Sequence, residues 1–211
     1  MRWFRLGSGL VSGLGSGFGR AAAKRDMAQG DGIVLRAPAM QDYPAWSRLR
    51  AQSRAFLTPW EPIWPADDLT AASFRRRLRR YRAEADNDQA RHFLIFNEDS
   101  GELLGGLTLG EIRRGVSQAA TLGYWMGAPH AGKGYMTRAV RAAALYGFKQ
   151  LRLHRIEAAC VVANAASARL LIKNGFQREG RARAYLKING VWHDHELFAL
   201  LDTDTLPPLP R

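Results

Sequence analysis

A glycine-rich loop between a predicted strand and a predicted helix is the segment best suited to bind a ligand. Glycines stand at positions 127, 132 and 134 of the segment GAPHAGKG, directly before a helical pattern. Glycine lets the backbone approach a ligand closely, and the N–H groups at a helix start attract anions. The spacing therefore predicts a phosphate-binding loop. A strand-to-helix turn that binds nothing is the alternative when the segment is taken alone.

A P-loop for nucleotide hydrolysis is a competing interpretation of the same glycines. Gly127, Gly132 and Lys133 match the GxxxxGK pattern, but Gly134 stands where the magnesium-binding Ser or Thr is required. The loop also follows the fourth predicted strand rather than the first. Both observations argue against nucleotide hydrolysis.

A second strand-to-helix junction carries polar side chains in VVANAASARLLIKNG, residues 161–175. Asn164 is placed to cap the helix, and Ser167 lies in its first turn. A strand end beside a helix start is where open sheets place their ligands. An ordinary cap and an ordinary serine remain the alternative for either residue alone.

The cysteine and histidines favour structural interpretations. Cys160 alternates in phase with Ile156, Ala158 and Val162, so we expect it in the core rather than in a covalent catalytic mechanism. His193 and His195 share one face of the last predicted strand, but two histidines are too few for a metal site, and we assign no metal.

The chain has 211 residues, of which 46% are hydrophobic, and a formal charge of +12, and this composition indicates one globular domain. A single cysteine excludes an intramolecular disulfide framework and multi-cysteine zinc sites. No run approaches the roughly 18 apolar residues of a membrane span. These features predict a cytoplasmic protein without a membrane association.

The two ends of the chain differ in composition from its middle. Residues 1–30 are expected to form a flexible, basic, Gly/Ser-rich leader, with Met27 as an alternative start. The glycines interrupt any apolar stretch of a secretory signal. Three prolines make residues 203–211 a short tail. The folded domain is then expected over residues 31–202.

Hydrophobic periodicity predicts alternating strands and helices between these ends. Asn189-Gly190 is a strong two-residue hairpin signal between the last two strands. Asp42 is the expected N-cap of the first helix, and Asp67 or Asp68 that of the second. The predicted strands are 32–38, 91–98, 102–112, 119–127, 154–162, 176–188 and 191–201, and the predicted helices are 42–52, 67–84, 134–150 and 165–173.

The segments LGYWMGAPHAGKGYMTRAV, HRIEAACVVANAASARLLIKNGFQREG and AYLKINGVWHDHELFAL resemble the GNAT acetyltransferases. The resemblance covers roughly residues 32–201 and is strongest to the branch that acetylates protein N-termini, including ribosomal-protein-alanine acetyltransferases. It implies an α/β fold with a mixed, mostly antiparallel sheet of about seven strands and helices on both faces. It also implies a splay between the fourth and fifth strands, and acetyl-CoA as cosubstrate without a metal.

The resemblance also implies a cofactor site around the glycine loop. The loop from Pro129 to Gly134 would hold the pyrophosphate with backbone amides, although Pro129 replaces the usual Gln or Arg. The Met126 N–H would stabilise the oxyanion, Asn164 would steady the pantetheine arm, and Ser167 would protonate the departing thiolate. The expected cofactor-binding residues are Met126, His130, Ala131, Gly132, Lys133, Gly134, Tyr135 and Asn164.

The acceptor is expected to be a protein or peptide N-terminus, such as that of a ribosomal protein. With a pKa near 7.7 to 8.0, about a quarter to a third of an α-amine is neutral at pH 7.5, against about one lysine in a thousand. A weak base therefore suffices. Glu111 is the first candidate for that base and Glu61 the next, each with a plain surface carboxylate as the alternative. Trp60, Tyr124 and Tyr185 are candidates for binding the acceptor, and core packing is the alternative for the tryptophan.

Other functions fit parts of the sequence. The segment FRRRLRRYR places six arginines between Arg75 and Arg82, so an RNA- or ribosome-binding module is an alternative function. A solvated helix face that partly serves the 3′-phosphate of coenzyme A or an acidic partner explains the same residues. An acetyltransferase for small-molecule amines and a non-catalytic acyl-CoA sensor are further alternatives, because a fold does not fix its substrate.

Overall fold

Eight strands hydrogen-bond side by side in the part of the chain that the computed structural model describes, residues 27–208. Their lateral order is β1-β2-β3-β4-β5-β6-β8-β7. Only β5 and β6 run parallel, so the sheet is mixed and mostly antiparallel, as expected. The strands are β1 (Met27–Gly30), β2 (Ile33–Arg36), β3 (Arg91–Asn97), β4 (Leu103–Arg113), β5 (Ala119–Met126), β6 (Arg155–Val161), β7 (Gln177–Ile188) and β8 (Val191–Leu201).

The first strand was not expected, because its residues belong to the segment 1–30 predicted as a leader. Asp31 and Gly32 both have positive φ, 53° and 78°, and Gly30 pairs with Ile33. Positive φ at both central residues is what a two-residue type I′ hairpin turn requires. The Asp-Gly turn therefore adds β1 to the edge of the sheet. Residues 1–26 and 209–211 lie outside the described residues.

Helices cover both faces of the sheet. They are α1 (Tyr43–Gln52), α2 (Arg54–Leu57), α3 (Ala71–Asp86), α4 (Tyr135–Lys149) and α5 (Ala165–Lys173). We call the side covered by α4 and α5 the cofactor face, and the side covered by α1 and α3 the acceptor face, after the roles that the resemblance implies for them. The main core lies on the cofactor face, where the predicted stripe of α4 is buried at Met136, Val140, Ala143, Ala144 and Gly147.

Two helix starts differ from the predicted ones. Helix α3 begins at Ala71, where the Thr70 side chain accepts a hydrogen bond from the Ser73 N–H, 3.2 Å. The predicted caps, Asp67 and Asp68, instead form ion pairs with Arg76 and Arg77 one to two turns into the helix. The two carboxylates of the turn over 65–70 thus bind arginine side chains of α3 and do not cap the helix.

Asp42 occupies the predicted N-cap position of α1 without making a capping hydrogen bond. Its carboxylate accepts two hydrogen bonds from Arg36, 2.8 and 2.6 Å, and one from the Ala39 N–H, 2.7 Å. The carboxylate is thereby fully engaged by the preceding segment, and it ties the start of α1 to the end of β2.

Candidate active site

The sheet opens between β5 and β6, at the point where the resemblance predicts a splay. Pairing of the two strands ends at Leu122 and Ala158, although β5 continues to Met126 and β6 to Val161. The Gly127 N–H donates to the Leu104 carbonyl on the other side, 2.8 Å. Successive residues of a strand point their backbone N–H groups to opposite sides. The direction of the Gly127 N–H group therefore fixes the direction of each N–H group before it in β5. The N–H groups of Tyr124 and Met126 therefore point away from β4 and into the gap.

The glycine loop continues directly from this open end of β5. A 3₁₀ turn (Ala128–His130) leads to Gly132 and Gly134, whose φ angles are 75° and 77°. An added Cβ would meet nothing within 4 Å at either glycine. Gly134 is the N-cap of α4 and provides no side-chain cap, so the first-turn N–H groups of this helix are available to an anion.

Two contacts from the acceptor face hold the loop in place. The Ala128 N–H donates to the Ser53 hydroxyl, 2.9 Å, and Ser53 is fully buried. A Cβ on Gly127 would lie 2.5 Å from Leu49, so only glycine lets α1 approach the loop this closely. The side chain of His130 is also buried, 3.6 Å from Glu102, so of His130 only the backbone can face a ligand.

The start of α5 lies across the gap from the loop, and it carries both polar residues that the sequence singled out. The Asn164 side chain accepts a hydrogen bond from the Ser167 N–H, 3.0 Å, which confirms the predicted cap. The hydroxyl groups of Ser167 and Tyr124 lie 2.7 Å apart in a hydrogen bond. The gap is thus bordered by a Tyr-Ser hydroxyl pair.

Tyr124 lies on the cofactor face, whereas Trp60 and Tyr185 lie on the other side of the sheet. The side chain of Tyr124 packs against the main core, and Leu122 lies on the same side of β5. Burial raises the pKa of Tyr124 well above its usual value, and the hydrogen bond with Ser167 opposes this shift. The phenol therefore stays protonated at physiological pH, and its hydrogen remains available to the Ser167 hydroxyl. The structure does not bring it together with the other two acceptor candidates.

Cys160 lies in the core, as its alternation predicted. The side chain is 6% exposed and belongs to the main hydrophobic cluster. Burial raises the pKa of its thiol, and a hydrogen bond with Ser167 opposes the shift. A protonated thiol is a poor nucleophile, which favours direct transfer over an acetyl-cysteine.

Glu111 and Tyr185, predicted separately, lie near each other on the acceptor face. Glu111 sits in a β-bulge of β4 with φ 49°, and its carboxylate accepts a hydrogen bond from the Thr121 hydroxyl, 3.1 Å. Burial raises the pKa of Tyr185, and the charges of Glu111 and Glu157 add to this rise. The unfavourable backbone at Glu111 is the kind of local strain that active sites retain.

Glu61, the second candidate base, is held in an ion pair instead. Arg50 donates to both of its carboxylate oxygens, each at 2.7 Å, and the Trp64 indole N–H donates to one of them, also 2.7 Å. The Arg50 guanidinium stacks on Trp64, 4.0 Å from the ring centroid, and lies 4.9 Å from that of Trp125. A carboxylate bound in this way anchors its loop and is not poised to accept a proton.

The anchored loop forms one wall beside the gap. The Glu61 carbonyl accepts a hydrogen bond from the Asn189 N–H at the tip of the β7–β8 hairpin, 2.9 Å. Ile63 contacts the same tip near Gly190. Trp60, which precedes the anchor, is 37% exposed. The structure thus joins the tryptophan-containing loop to the predicted hairpin. No local sequence signal points to Arg50, because its partners are 11 to 75 residues away.

Most arginines of α3 are engaged by acidic side chains. Four of these six arginines, the candidates for binding nucleic acid, form ion pairs, and only Arg75 and Arg79 form none with an acidic side chain of the described residues. The ion pairs are Arg76–Asp67, Arg77–Asp68, Arg80–Glu84 and Arg82–Asp86.

Within the described chain no group of three or more His, Cys, Asp or Glu side chains could hold a metal ion. No helix over residues 27–208 is long and apolar enough to cross a membrane.

Comparison with known proteins identifies the family. Residues 33–177 match the acetyltransferase (GNAT) domain. YjcK of Bacillus subtilis, named a probable N-acetyltransferase, is 39% identical over 84% of this chain and 98% of its own. The [ribosomal protein uS5]-alanine N-acetyltransferase of Escherichia coli is 35% identical over 84% of this chain and 91% of its own.

A solved structure agrees with this assignment. Mycobacterium smegmatis RimJ in complex with CoA-disulfide superposes with a TM-score of 0.77 at 34% identity, over 81% of this chain and 82% of that one. The open sheet, the loop before α4 and the sequence matches lead to one conclusion. The chain belongs to the GNAT acetyltransferase family and is an N-acetyltransferase.

Proposed function

We propose that this protein transfers the acetyl group of acetyl-CoA to the N-terminal α-amine of a protein, with a ribosomal protein as the favoured acceptor. The observation that carries the proposal is the continuous path from the open end of β5 into the uncapped, glycine-rich start of α4. The E. coli relative, which is 35% identical and is named a [ribosomal protein uS5]-alanine N-acetyltransferase, supports the acceptor class. A ribosomal acceptor would place the reaction in the cytoplasm.

The loop and the gap would bind different parts of acetyl-CoA. The backbone N–H groups of residues 130–135 are proposed to bind the pyrophosphate, with Lys133 and the helix dipole adding positive charge. The pantetheine arm would lie along the unpaired edge of β5. There the N–H groups of Tyr124 and Met126 point into the gap and would bind the amide and thioester carbonyls. Asn164 contributes by fixing the start of α5 beside the arm.

The chemistry we propose is direct transfer. The amine nitrogen attacks the thioester carbon, a C–N bond forms, and the carbonyl electrons move to the oxygen held by the Met126 N–H. When the C–S bond breaks, the sulfur takes a proton from Ser167, which is replenished from Tyr124 through their 2.7 Å hydrogen bond. Tyr124 regains its proton from water, to which the proton lost by the amine is finally released. The attacking amine loses its proton on the acceptor face.

We propose Glu111 as the carboxylate that receives this proton before its release to water. It is hydrogen-bonded to Thr121, which is three residues, or about 10 Å, along β5 from Tyr124. A group nearer the gap must therefore carry the proton to it. Trp60 and Tyr185 would border the acceptor on the two sides of the groove.

Replacing Gly134 by alanine tests the loop. Both Gly134 and Gly115 have positive φ, 77° and 64°, with no atom within 4 Å of an added Cβ. Each alanine variant is expected to lose about 1–2 kcal/mol of stability through backbone strain. Only Gly134→Ala is expected to weaken acetyl-CoA binding, by at least tenfold in a calorimetric titration. Equal affinities in the two variants would argue against the loop.

The activity itself is tested by release of free thiol from acetyl-CoA. Peptides that begin with Ala or Ser are expected to support turnover, and the same peptides with a blocked N-terminus are not. Turnover with polyamines or amino acids but with no peptide would assign the enzyme to small-molecule amines instead.

A further inference from the structure

His195 lies level with the open gap, on the acceptor face. Extending the β5–β6 register by three residues past Leu122 and Ala158 would bring Trp125 level with Val161. Val161 pairs with His195 on β8. Side chains alternate along a strand, so all three residues project from the acceptor face. The Trp125 side chain therefore borders the place where an amine must stand to reach a thioester in the gap, and the imidazole lies one strand farther from it, beyond Val161.

The hydrogen bonding of His195 fixes which nitrogen can accept a proton. Its Nδ1 lies 2.9 Å from the His193 carbonyl oxygen. A carbonyl can only accept, so Nδ1 carries the hydrogen and donates it. In the neutral ring, Nε2 then carries the lone pair. The backbone thus holds the imidazole as the tautomer in which Nε2 is basic.

The surroundings keep this ring neutral. His195 is 2% exposed, and burial lowers its pKa below the usual value, with the His193 charge acting in the same direction. The His193 carbonyl and the Asp194 carboxylate oppose this shift. From β7, the Tyr185 ring lies edge-on at 5.6 Å, and Tyr185 in turn faces Glu111, Glu157 and Arg113. A neutral imidazole at pH 7 is the form that a base requires.

We propose that Nε2 of His195 is the first acceptor of the proton that the attacking α-amine loses. This inference rests on the proposed acetyl transfer. As the C–N bond forms, one N–H proton moves to Nε2 and gives an imidazolium. The electron pair of the broken C–S bond leaves with the sulfur, which is protonated from Ser167. The imidazolium then passes its proton through water toward Glu111, beyond Tyr185.

His195→Asn is the sharpest variant, because the asparagine amide can still donate to the His193 carbonyl while the basic nitrogen is lost. We expect kcat/KM for an Ala-initiated peptide to fall about 10²–10⁴-fold at pH 7. The difference in kcat/KM between the variant and the wild type should shrink toward pH 9.5. At that pH the amine is already neutral and hydroxide can take the proton. The affinity for acetyl-CoA should be unchanged. His154→Gln, which removes an exposed histidine paired with Asp202, should match the wild type at every pH.

A deficit of the same size from pH 6 to 9.5, or no deficit, would overturn the inference while leaving the acetyltransferase intact. If the wild type acetylates no peptide, the proposed function fails and this inference with it. A measurement on the wild type tests the inference even if the variant does not fold. Nitrogen-15 NMR of the imidazoles should show His195 with hydrogen on Nδ1 at pH 7. Hydrogen on Nε2, or a charged ring, would equally overturn the proposal.

Discussion

Replacement of Arg50 by alanine is expected to lower the free energy of unfolding by about 3–5 kcal/mol, because it leaves the Glu61 carboxylate in its pocket without a compensating charge. The Arg50 side chain is 8% exposed, and its bidentate bond to Glu61 is the only link of this kind between α1 and the loop over 61–65 among the described residues. The loop should detach from the hairpin, so the KM for the acceptor should rise more than that for acetyl-CoA. Urea unfolding and steady-state kinetics measure the two effects.

A surface pair provides the matched control for this variant. Arg82 and Asp86 are 84% and 73% exposed and lie 3.9 Å apart, so Arg82→Ala should cost well under 1 kcal/mol. The double variant Arg50→Met, Glu61→Leu removes both charges and should recover much of the lost stability. A loss below 1 kcal/mol in Arg50→Ala would show that the ion pair does not hold the loop.

Removal of both hydroxyl groups in Tyr124→Phe, Ser167→Ala is expected to lower kcat by about 10²–10⁴-fold, since the thiolate would leave without a proton donor. Each single variant should have a smaller effect, because the remaining hydroxyl can still donate. Burial raises the pKa of Tyr124, so the wild-type donor should stay protonated through pH 9 and cause no alkaline loss there. Stopped-flow measurement of thiol release separates this step from binding.

Tyr43→Phe is the control for loss of a tyrosine hydroxyl. That hydroxyl donates to the Leu69 carbonyl, 3.1 Å, and not to a residue of the proposed proton relay, so its removal should leave kcat unchanged. If the double variant loses affinity for acetyl-CoA but keeps kcat, the hydroxyl pair binds the cosubstrate and does not donate the proton.

Local sequence signals predicted the features that depend on neighbours along the chain. The glycine loop, the Asn164 cap and the Asn189-Gly190 hairpin are each determined within a few residues, and the structure contains all three. The same reasoning would have found β1, because Asp31-Gly32 is itself a hairpin signal. It was hidden by the flexible composition of the preceding residues.

Contacts between distant segments could not be read in this way. Glu61 looks like any exposed loop carboxylate until α1 brings Arg50 beside it. Asp67 and Asp68 have the residue type of caps, but their partners one to two turns along α3 hold them elsewhere. The position of His195 level with the gap depends on the register of β6 with β8 and on the point at which β5 separates from β6. These are tertiary properties, which residue type and spacing do not encode.

The most direct test of the central claim is to locate the acetyl group on a peptide that offers both kinds of amine. A peptide with a free N-terminal alanine and an internal lysine would be incubated with the enzyme and acetyl-CoA, then sequenced by tandem mass spectrometry. We expect one acetyl group, on the N-terminal nitrogen, and none with heat-denatured enzyme. Acetylation of the lysine alone, or of neither amine while a small amine is acetylated, would contradict the account.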